Sequence, residues 1–585
     1  MEGDFNFFNK WLFGCVAVGK LYEIGYVPED QYSKKSSTAE DSKLDNRLTM
    51  DLSRQFRQPM IAVSADADKC YDRINHIIMS MLLLAIGGED GPVRAMLCPI
   101  QQMKFYQRTG RGDSDTFMGG RPENNPLQGL CQGNGAGPAR WIMLSSLMMS
   151  VYCKSGHMSM TESPISGETI EFMGEIYVDD TDLLTFPLEE YDVGKVMKRA
   201  QSNLDKWSQL LNATGGALNP EKCYWYLINY PCKEGIWEYD KEERPHNLTI
   251  PLPNGSRKNI TRLPVSESKK MLGVWSSPDG SDTKHLHEVV IGKTRTWVTR
   301  ILNSNLPTNL VWKSYRFQLG PAIRFGLATL ANHSKEMDDI LHKLEFEMLP
   351  AMGVNRHVKT EWRKLAREFG GIGLINLTIE QFIGWSELVL QHYGTDSTIS
   401  KKMRASLEAT QLEVGCNGNP LNECYDTLGT LASDGWIKAI WERAHRYNFK
   451  FNLDYPTQRA ARANDSNILN IFLNKGAKGK DLASLNRCRI AHQAMYLSCI
   501  TTAEGTHIDN TYLEPPHNRE RTSVWRFAPE EPMHRDWSLW KGFWKRYCNQ
   551  YLELPTKLGK WTSPGHRIWP WLLDEIHDVV YNQTY

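Results

Sequence analysis

Two adjacent acids, Asp179 and Asp180, stand between two runs rich in β-branched and aromatic residues, 169–178 and 183–186. Such flanks predict strands, and the acids fall where the chain must reverse, at or beside a hairpin turn. A third acid, Asp66, closes the apolar run Met60-Ile61-Ala62-Val63-Ser64-Ala65. That run reads as a buried strand with the acid at its C-terminal end. Asp is common in turns for its own local chemistry, so the pair alone says little. Carboxylates delivered by two strands are what a hard cation such as Mg²⁺ takes as ligands. Without a cation, acids so close repel, and their pKa values rise.

The neighbouring elements would set these acids in place. Ile74, Ile77, Ile78, Met81, Leu82 and Ala85 recur at helical spacing, and Gly87-Gly88 ends the run. Asp66, Asp68, Tyr71 and Asp72 therefore lie in a strand-to-helix connection. Asp72 and Asp182 read as a helix-start acid and a turn acid. A Gly-rich stretch, 128–138, opens a helix with Trp141, Leu144, Leu147, Met148 and Val151 on one face. Glycines there let backbone approach a ligand, but no Gly-Lys-Ser/Thr follows, so it is not a P-loop. A helix is expected over about 189–211, then a Gly-rich turn and a strand over 223–228. Residues 233–259 read as a polar insertion, and 269–275 as a short strand. The stretch 31–38 holds adjacent lysines among serines and reads as a solvated loop or a phosphate contact. Phe5, Phe8, Trp11 and Leu12 predict a helix near the start.

From about 282 the pattern is helical. Leu286, Val290, Trp297 and Ile301 share a face, while Lys293, Arg295 and Arg300 lie off it. A basic helical face suits tracking of a nucleic-acid backbone. Beyond Gly370-Gly371-Ile372-Gly373 the chain reads as helices with polar linkers near 394–402 and 453–466. The Trp-rich tail reads as core rather than as a stacking platform.

At 585 residues, the chain exceeds one compact core. Its 68 basic and 68 acidic residues cancel, which excludes binding nucleic acid by bulk charge but not through a local basic channel. No apolar run approaches a membrane span, and no secretory signal opens the chain. These features predict an intracellular protein, nuclear or cytoplasmic, not secreted and without a membrane partner. Twelve Cys include no CxxC, and Cys488 with His492 reads as a buried thiol and a core imidazole.

In order and spacing, these stretches resemble motifs A to E of reverse transcriptases, with the non-LTR, LINE-type retroelements the nearest in look. Asp66 to Asp72 is similar to motif A, Gln132 to Pro138 to motif B, and Tyr177-Val178-Asp179-Asp180 to motif C. Gly216 to Lys222 is similar to motif D and Leu272-Gly273 to motif E. The resemblance spans about 25–375. It departs at Asn134 and Gly137, where most relatives have an acid and a Ser. Only 30 residues precede Gln31, so the fingers are expected to be truncated.

The resemblance implies an α+β chain: a right-hand polymerase palm, with an antiparallel sheet and helices, plus a helical thumb and a helical C-terminal domain. Its divisions would be 1–58 partial fingers, 59–280 palm with interleaved fingers elements, 281–375 thumb, and 376–585 of unassigned role. It implies an RNA-directed DNA polymerase that adds dNTPs to a DNA or RNA primer on an RNA template in retrotransposition. Two Mg²⁺ ions, or Mn²⁺, would rest on Asp66 and Asp179, with Asp180 beside them. Lys222 would be a general acid. Ala67, Tyr71, Gln132 and Gly133 would bind the nucleotide, with the Tyr71 ring filling the space of a ribose 2′-hydroxyl. A catalytically dead remnant that only binds nucleic acid and an RNA-dependent RNA polymerase are the alternatives.

Overall fold

The computed structural model describes residues 17–34, 37–119, 129–130, 135–187, 192–233, 236–241, 247–252, 254–331, 335–455, 460, 462–516, 525, 531–561, 571–574 and 579–582. The helix expected around Phe5 to Leu12 lies outside them, as do Gln132 and Gly133.

The chain mixes helices with small sheets. Helix α1 (Ala39–Phe56) begins at a capping box: the Thr38 hydroxyl accepts from the Asp41 amide, and the Asp41 carboxylate accepts from the Thr38 amide. It delivers the chain into β1 (Met60–Ser64), the middle strand of a five-stranded sheet. Four strands, β2 (Lys104–Thr109) paired with β3 (Gly112–Gly119) and β4 (Ser159–Glu162) paired with β5 (Thr169–Phe172), lie outside it, and its other strands are β6 (Gly174–Tyr177), β7 (Asp180–Thr185), β8 (Tyr224–Ile228) and β9 (Thr261–Leu263). Their order is β9-β8-β1-β7-β6, antiparallel except where β9 runs parallel to β8.

Alternation along the strands gives the sheet two buried faces. Ile61, Val63, Leu183, Trp225 and Leu227 face one core, shared with α2 (His76–Ala85), α3 (Gly137–Lys154) and α4 (Val193–Ala213). Met60, Ala62, Leu184, Tyr226 and Ile228 face another. That second core includes Met50, Leu52 and Phe56 of α1. It also includes Ala405, Ala409 and Leu412 of α6 (Thr398–Val414), far along the chain. A further core joins Leu44 and Leu48 to Trp385, Trp436, Trp441, Trp540 and Trp544. The tryptophans of the tail that can be described are thus mainly core, as expected: Trp525, Trp537, Trp540 and Trp544 are buried.

The predicted strand over 169–178 is divided. Residues Thr169–Phe172 pair with Ser159–Glu162, and β6 pairs with β7. The break falls at Gly174, at φ 134°, where a Cβ would stand 1.9 Å from the Asp182 carbonyl oxygen. The apolar stripe of α2 also departs from expectation. Ile77 and Met81 are 68% and 61% exposed, whereas His76, Met79, Leu82 and Leu83 are buried. The helix is apolar on nearly every side, so its periodicity alone does not choose the buried face. The supposed linker at 394–402 contains the first turn of α6, and Lys402 is wholly buried.

Helix α5 (Gly292–Leu302) continues a π-helical turn at Leu286–Ile291. Leu286, Val290, Trp297 and Ile301 enter a local core, and Lys293, Arg295 and Arg300 remain exposed. No helix among the described residues is long and apolar enough to cross a membrane.

Candidate carboxylate site

Asp66 leaves β1 directly and is pinned on both sides. The Ala65 amide donates to the Thr181 carbonyl at 2.8 Å, tying the strand end to β7. The Asp66 carbonyl accepts from the Asn219 amide at 2.9 Å, and the Asp68 amide donates to Ala217 at 2.8 Å. Ala67 forms a bridge with Leu218. The Gly-rich turn that follows α4 is thereby clipped onto the acid loop, which brings Lys222 within 3.6 Å of Asp66 Oδ1.

Asp179 and Asp180 sit on the β6–β7 hairpin. Tyr177 pairs with Asp180, so Val178 and Asp179 form a two-residue turn. Val178 is left-handed, at φ 57°. This conformation is uncommon for any residue with a side chain and a genuine outlier for a β-branched one. Asp179 is exposed and Asp180 half-buried.

The turn and the acid loop meet. The Asp66 carboxyl is raised above its ordinary range by burial and by Asp179 and Asp68, with Lys222 opposing. Asp180 is pushed up to about 6 by burial and by Asp179, Asp182 and Asp66, with Lys43 opposing. The Cys70 thiol is pushed up to about 12 by burial and by Asp179. Burial, Cys70 and Asp179 also raise the Tyr71 hydroxyl. Asp66, Asp179, Asp180, Lys222 and Tyr71 are therefore neighbours. The Tyr71 ring meets Trp141 edge to face, with centroids 6.3 Å apart. Leu130 and Gly129 donate to the carbonyls of Tyr71 and Ile74 at 2.6 and 2.9 Å. Gly129, at φ 93°, lies so close to Asp72 that a Cβ would stand 2.4 Å from its backbone. The start of the Gly-rich segment is thus seated beside Tyr71.

The donor set fits a hard cation. Asp66 Oδ1 is buried and has no hydrogen-bond donor, only the more distant Lys222 charge. Among the described residues, no three His, Cys, Asp or Glu side chains form a complete cage. Mg²⁺ does not need one, because it binds one or two carboxylates and completes its shell with water and substrate phosphates.

Asp182 is not a turn acid. It lies in β7 opposite Glu175 of β6, and both are buried. Asn46 Nδ2 donates to Glu175 at 2.8 Å and to Asp182 at 3.2 Å, and Lys43 Nζ lies 3.4 and 4.0 Å from them. Burial pushes Glu175 up to about 8 and raises Asp182 as well. The period-two spacing of Asp180 and Asp182 was a usable signal for a shared face. Nothing local identified Glu175 as its partner.

Residues 31–34 of the stretch 31–38 are not a solvated loop, and Lys35 and Ser36 lie outside the described residues. Gln31, Tyr32 and Lys34 are buried. Residues 30–32 run beside β6: the Tyr32 amide donates to Ile176, and the Ile176 amide to Asp30. Gln31 Nε2 donates to Ser145 of α3 at 2.8 Å. Cys488 and His492 are core groups as expected. The thiol is buried, and the imidazole, held well below its ordinary pKa by burial, sits among Tyr512, Trp537 and Trp540.

No family model matches the chain, and no curated protein matches it. Among solved structures, similar chains include telomerase from Candida albicans in complex with a TWJ fragment of telomeric RNA. It is 12% identical with a TM-score of 0.29, over 70% of this chain and 56% of that one. Telomerase from Candida tropicalis, in complex with a TWJ fragment, is 13% identical with a TM-score of 0.27, over 68% and 54%. The apo telomerase of Candida tropicalis is 13% identical with a TM-score of 0.27, over 66% and 58%. The chain thus spans a little over half the length of these structures.

Proposed function

We propose that the protein is an RNA-directed DNA polymerase of the non-LTR retroelement kind, with 59–280 acting as its palm. The observation that carries this reading is the meeting of Asp66 with Asp179 and Asp180 at one end of the sheet, with Lys222 as the cation beside them. Asp66 and Asp179 would hold two Mg²⁺ ions, or Mn²⁺, and Asp180 would add charge. Bound there, such ions activate the primer 3′-hydroxyl and offset charge on the leaving pyrophosphate. Lys222, 65% exposed and 3.6 Å from Asp66, would protonate that pyrophosphate. The Tyr71 ring would fill the space of a ribose 2′-hydroxyl and so favour dNTPs over ribonucleotides. That preference separates this reading from an RNA-dependent RNA polymerase. Gln132 and Gly133 would lie under the nascent base pair. Lys293, Arg295 and Arg300 give the thumb an exposed basic face for the template–primer backbone.

Primer extension on an RNA template with Mg²⁺ and dNTPs tests the reading. Extension by the protein, abolished in Asp179→Ala/Asp180→Ala, is expected. Template binding without extension by either would replace it with the nucleic-acid-binding remnant.

A further inference from the structure

Val178 carries the acid turn in a conformation its side chain disfavours, so something must hold it there. Two contacts do so, from elements remote in sequence. The Val178 amide donates to Ser33 Oγ at 2.6 Å. The indole Nε1–H of Trp141, on α3, donates to the Val178 carbonyl. The one backbone donor and the one backbone carbonyl of Val178 are therefore both engaged from outside the hairpin. Ser33 is itself held by the strap at 30–32, which bonds to Ile176 of β6 and, through Gln31, to Ser145 of α3. The same Trp141 ring packs edge-on against Tyr71.

We infer that Ser33 and Trp141 are positioning residues, a two-point clamp that keeps Val178 left-handed and so aims Asp179 at the cation. This inference rests on the reading of the carboxylates as a metal site. Trp141 has two separable parts. Its N–H holds the metal turn, and its ring supports the aromatic beside the nucleotide. Loss of the N–H alone should weaken the cation, while loss of the ring should also disturb sugar selection.

The experiment is a Mn²⁺ titration of the full chain, followed by the paramagnetic resonance of the free ion. Trp141→Phe keeps a ring and removes the N–H, and Ser33→Ala removes the other contact. Each should weaken Mn²⁺ binding about tenfold while the melting temperature stays near that of the wild type. Val178→Gly should restore most of that loss in either background, because glycine adopts φ 57° without a clamp. Unchanged Mn²⁺ affinity in Ser33→Ala or Trp141→Phe overturns the inference. So does a loss that Val178→Gly fails to restore, since general damage would not be rescued by a glycine in the turn. If Trp141→Phe does not fold, Ser33→Ala with and without Val178→Gly decides the matter. A folded wild type that binds no Mn²⁺ overturns the metal reading itself and the clamp's role with it, a different failure from that of the variants alone.

Discussion

Two regions of this molecule concentrate carboxylates, and they treat them in opposite ways. Where α1 meets the C-terminal helices, each acid has a donor. Lys402 Nζ stands 2.7 Å from Asp45, and both side chains are fully buried. Asp41 takes His392 Nε2 at 2.8 Å; burial pushes its carboxyl up, but His392 and Thr38 outweigh that and hold it low. Asp51 accepts from Arg54 and from the Trp436 amide, and Glu408 from the amides of Ile165 and Ser166. At the end of β1 and the β6–β7 turn, Asp66, Asp179 and Asp180 gather with the exposed Lys222 beside Asp66 and the buried Lys43 opposing at Asp180, and Asp66 and Asp180 are still pushed above their ordinary range. Burying a charge is costly unless it is paired. The first region satisfies that rule within the chain, whereas on the proposed reading the second would be completed by a cation from outside. On that reading, unbalanced charge, rather than the presence of acids, would mark the functional end of the sheet.

The largest test of this contrast lies in the paired region. Lys402→Met leaves Asp45 buried and alone, and it should cost about 3–5 kcal/mol. Denaturant unfolding measures it, and Lys402→Met/Asp45→Leu should recover most of the loss. A single variant as stable as the wild type would mean that this pairing is not what makes the interface tolerable.

Next in size is the pH response of the Glu175–Asp182 pair. Glu175 is raised from 4.5 to about 8 in the folded protein. The folded state therefore holds a proton that the unfolded state releases, so stability falls as pH rises from about 4.5 to about 8. Glu175→Gln removes this slope, and melting curves across that window should be flatter for the variant. Equal slopes would assign the pH response elsewhere.

A smaller effect belongs to Tyr71. Tyr71→Ala should raise ribonucleotide incorporation relative to dNTPs; unchanged selectivity would remove its role in sugar discrimination. The smallest is Val178→Gly in the wild-type background. Relief of a left-handed side chain, about 1–2 kcal/mol, is offset by the backbone entropy of glycine, about 0.5–1 kcal/mol. Net stability should therefore rise by about 0 to 1.5 kcal/mol, and a loss would mean the turn depends on the Val side chain itself.

Much of the sheet end was legible in the residues. An apolar run ending in Asp66 and a strand–Asp-Asp–strand pattern are local signals, and both elements form at the expected places. What was not legible is non-local. Gln31 to Ser33 look polar and loop-like, but Gln31 and Tyr32 are buried and Ser33 is half-buried because α3 and β6 supply partners more than a hundred residues away. Lys402 looks like surface until Asp45 is set opposite it. Trp141 reads as one more apolar position on a helix, and its N–H acquires meaning only beside Val178. In α2 the pattern was too apolar to choose a face, so it placed Ile77 and Met81 on a stripe that the structure leaves exposed.

The most direct measurement is the melting temperature at pH 7 of the wild type and of Asp180→Asn, each with and without Mg²⁺. Asp180 is raised to about 6, so its contribution to stability falls between about pH 4 and 6 and stays reduced at pH 7. Without Mg²⁺ the variant should therefore melt higher than the wild type. With Mg²⁺ the wild type should gain stability and the variant gain less, because it offers the ion less charge. A variant that melts lower without metal, or a wild type that Mg²⁺ does not move, would contradict the claim that this cluster is an uncompensated cation site.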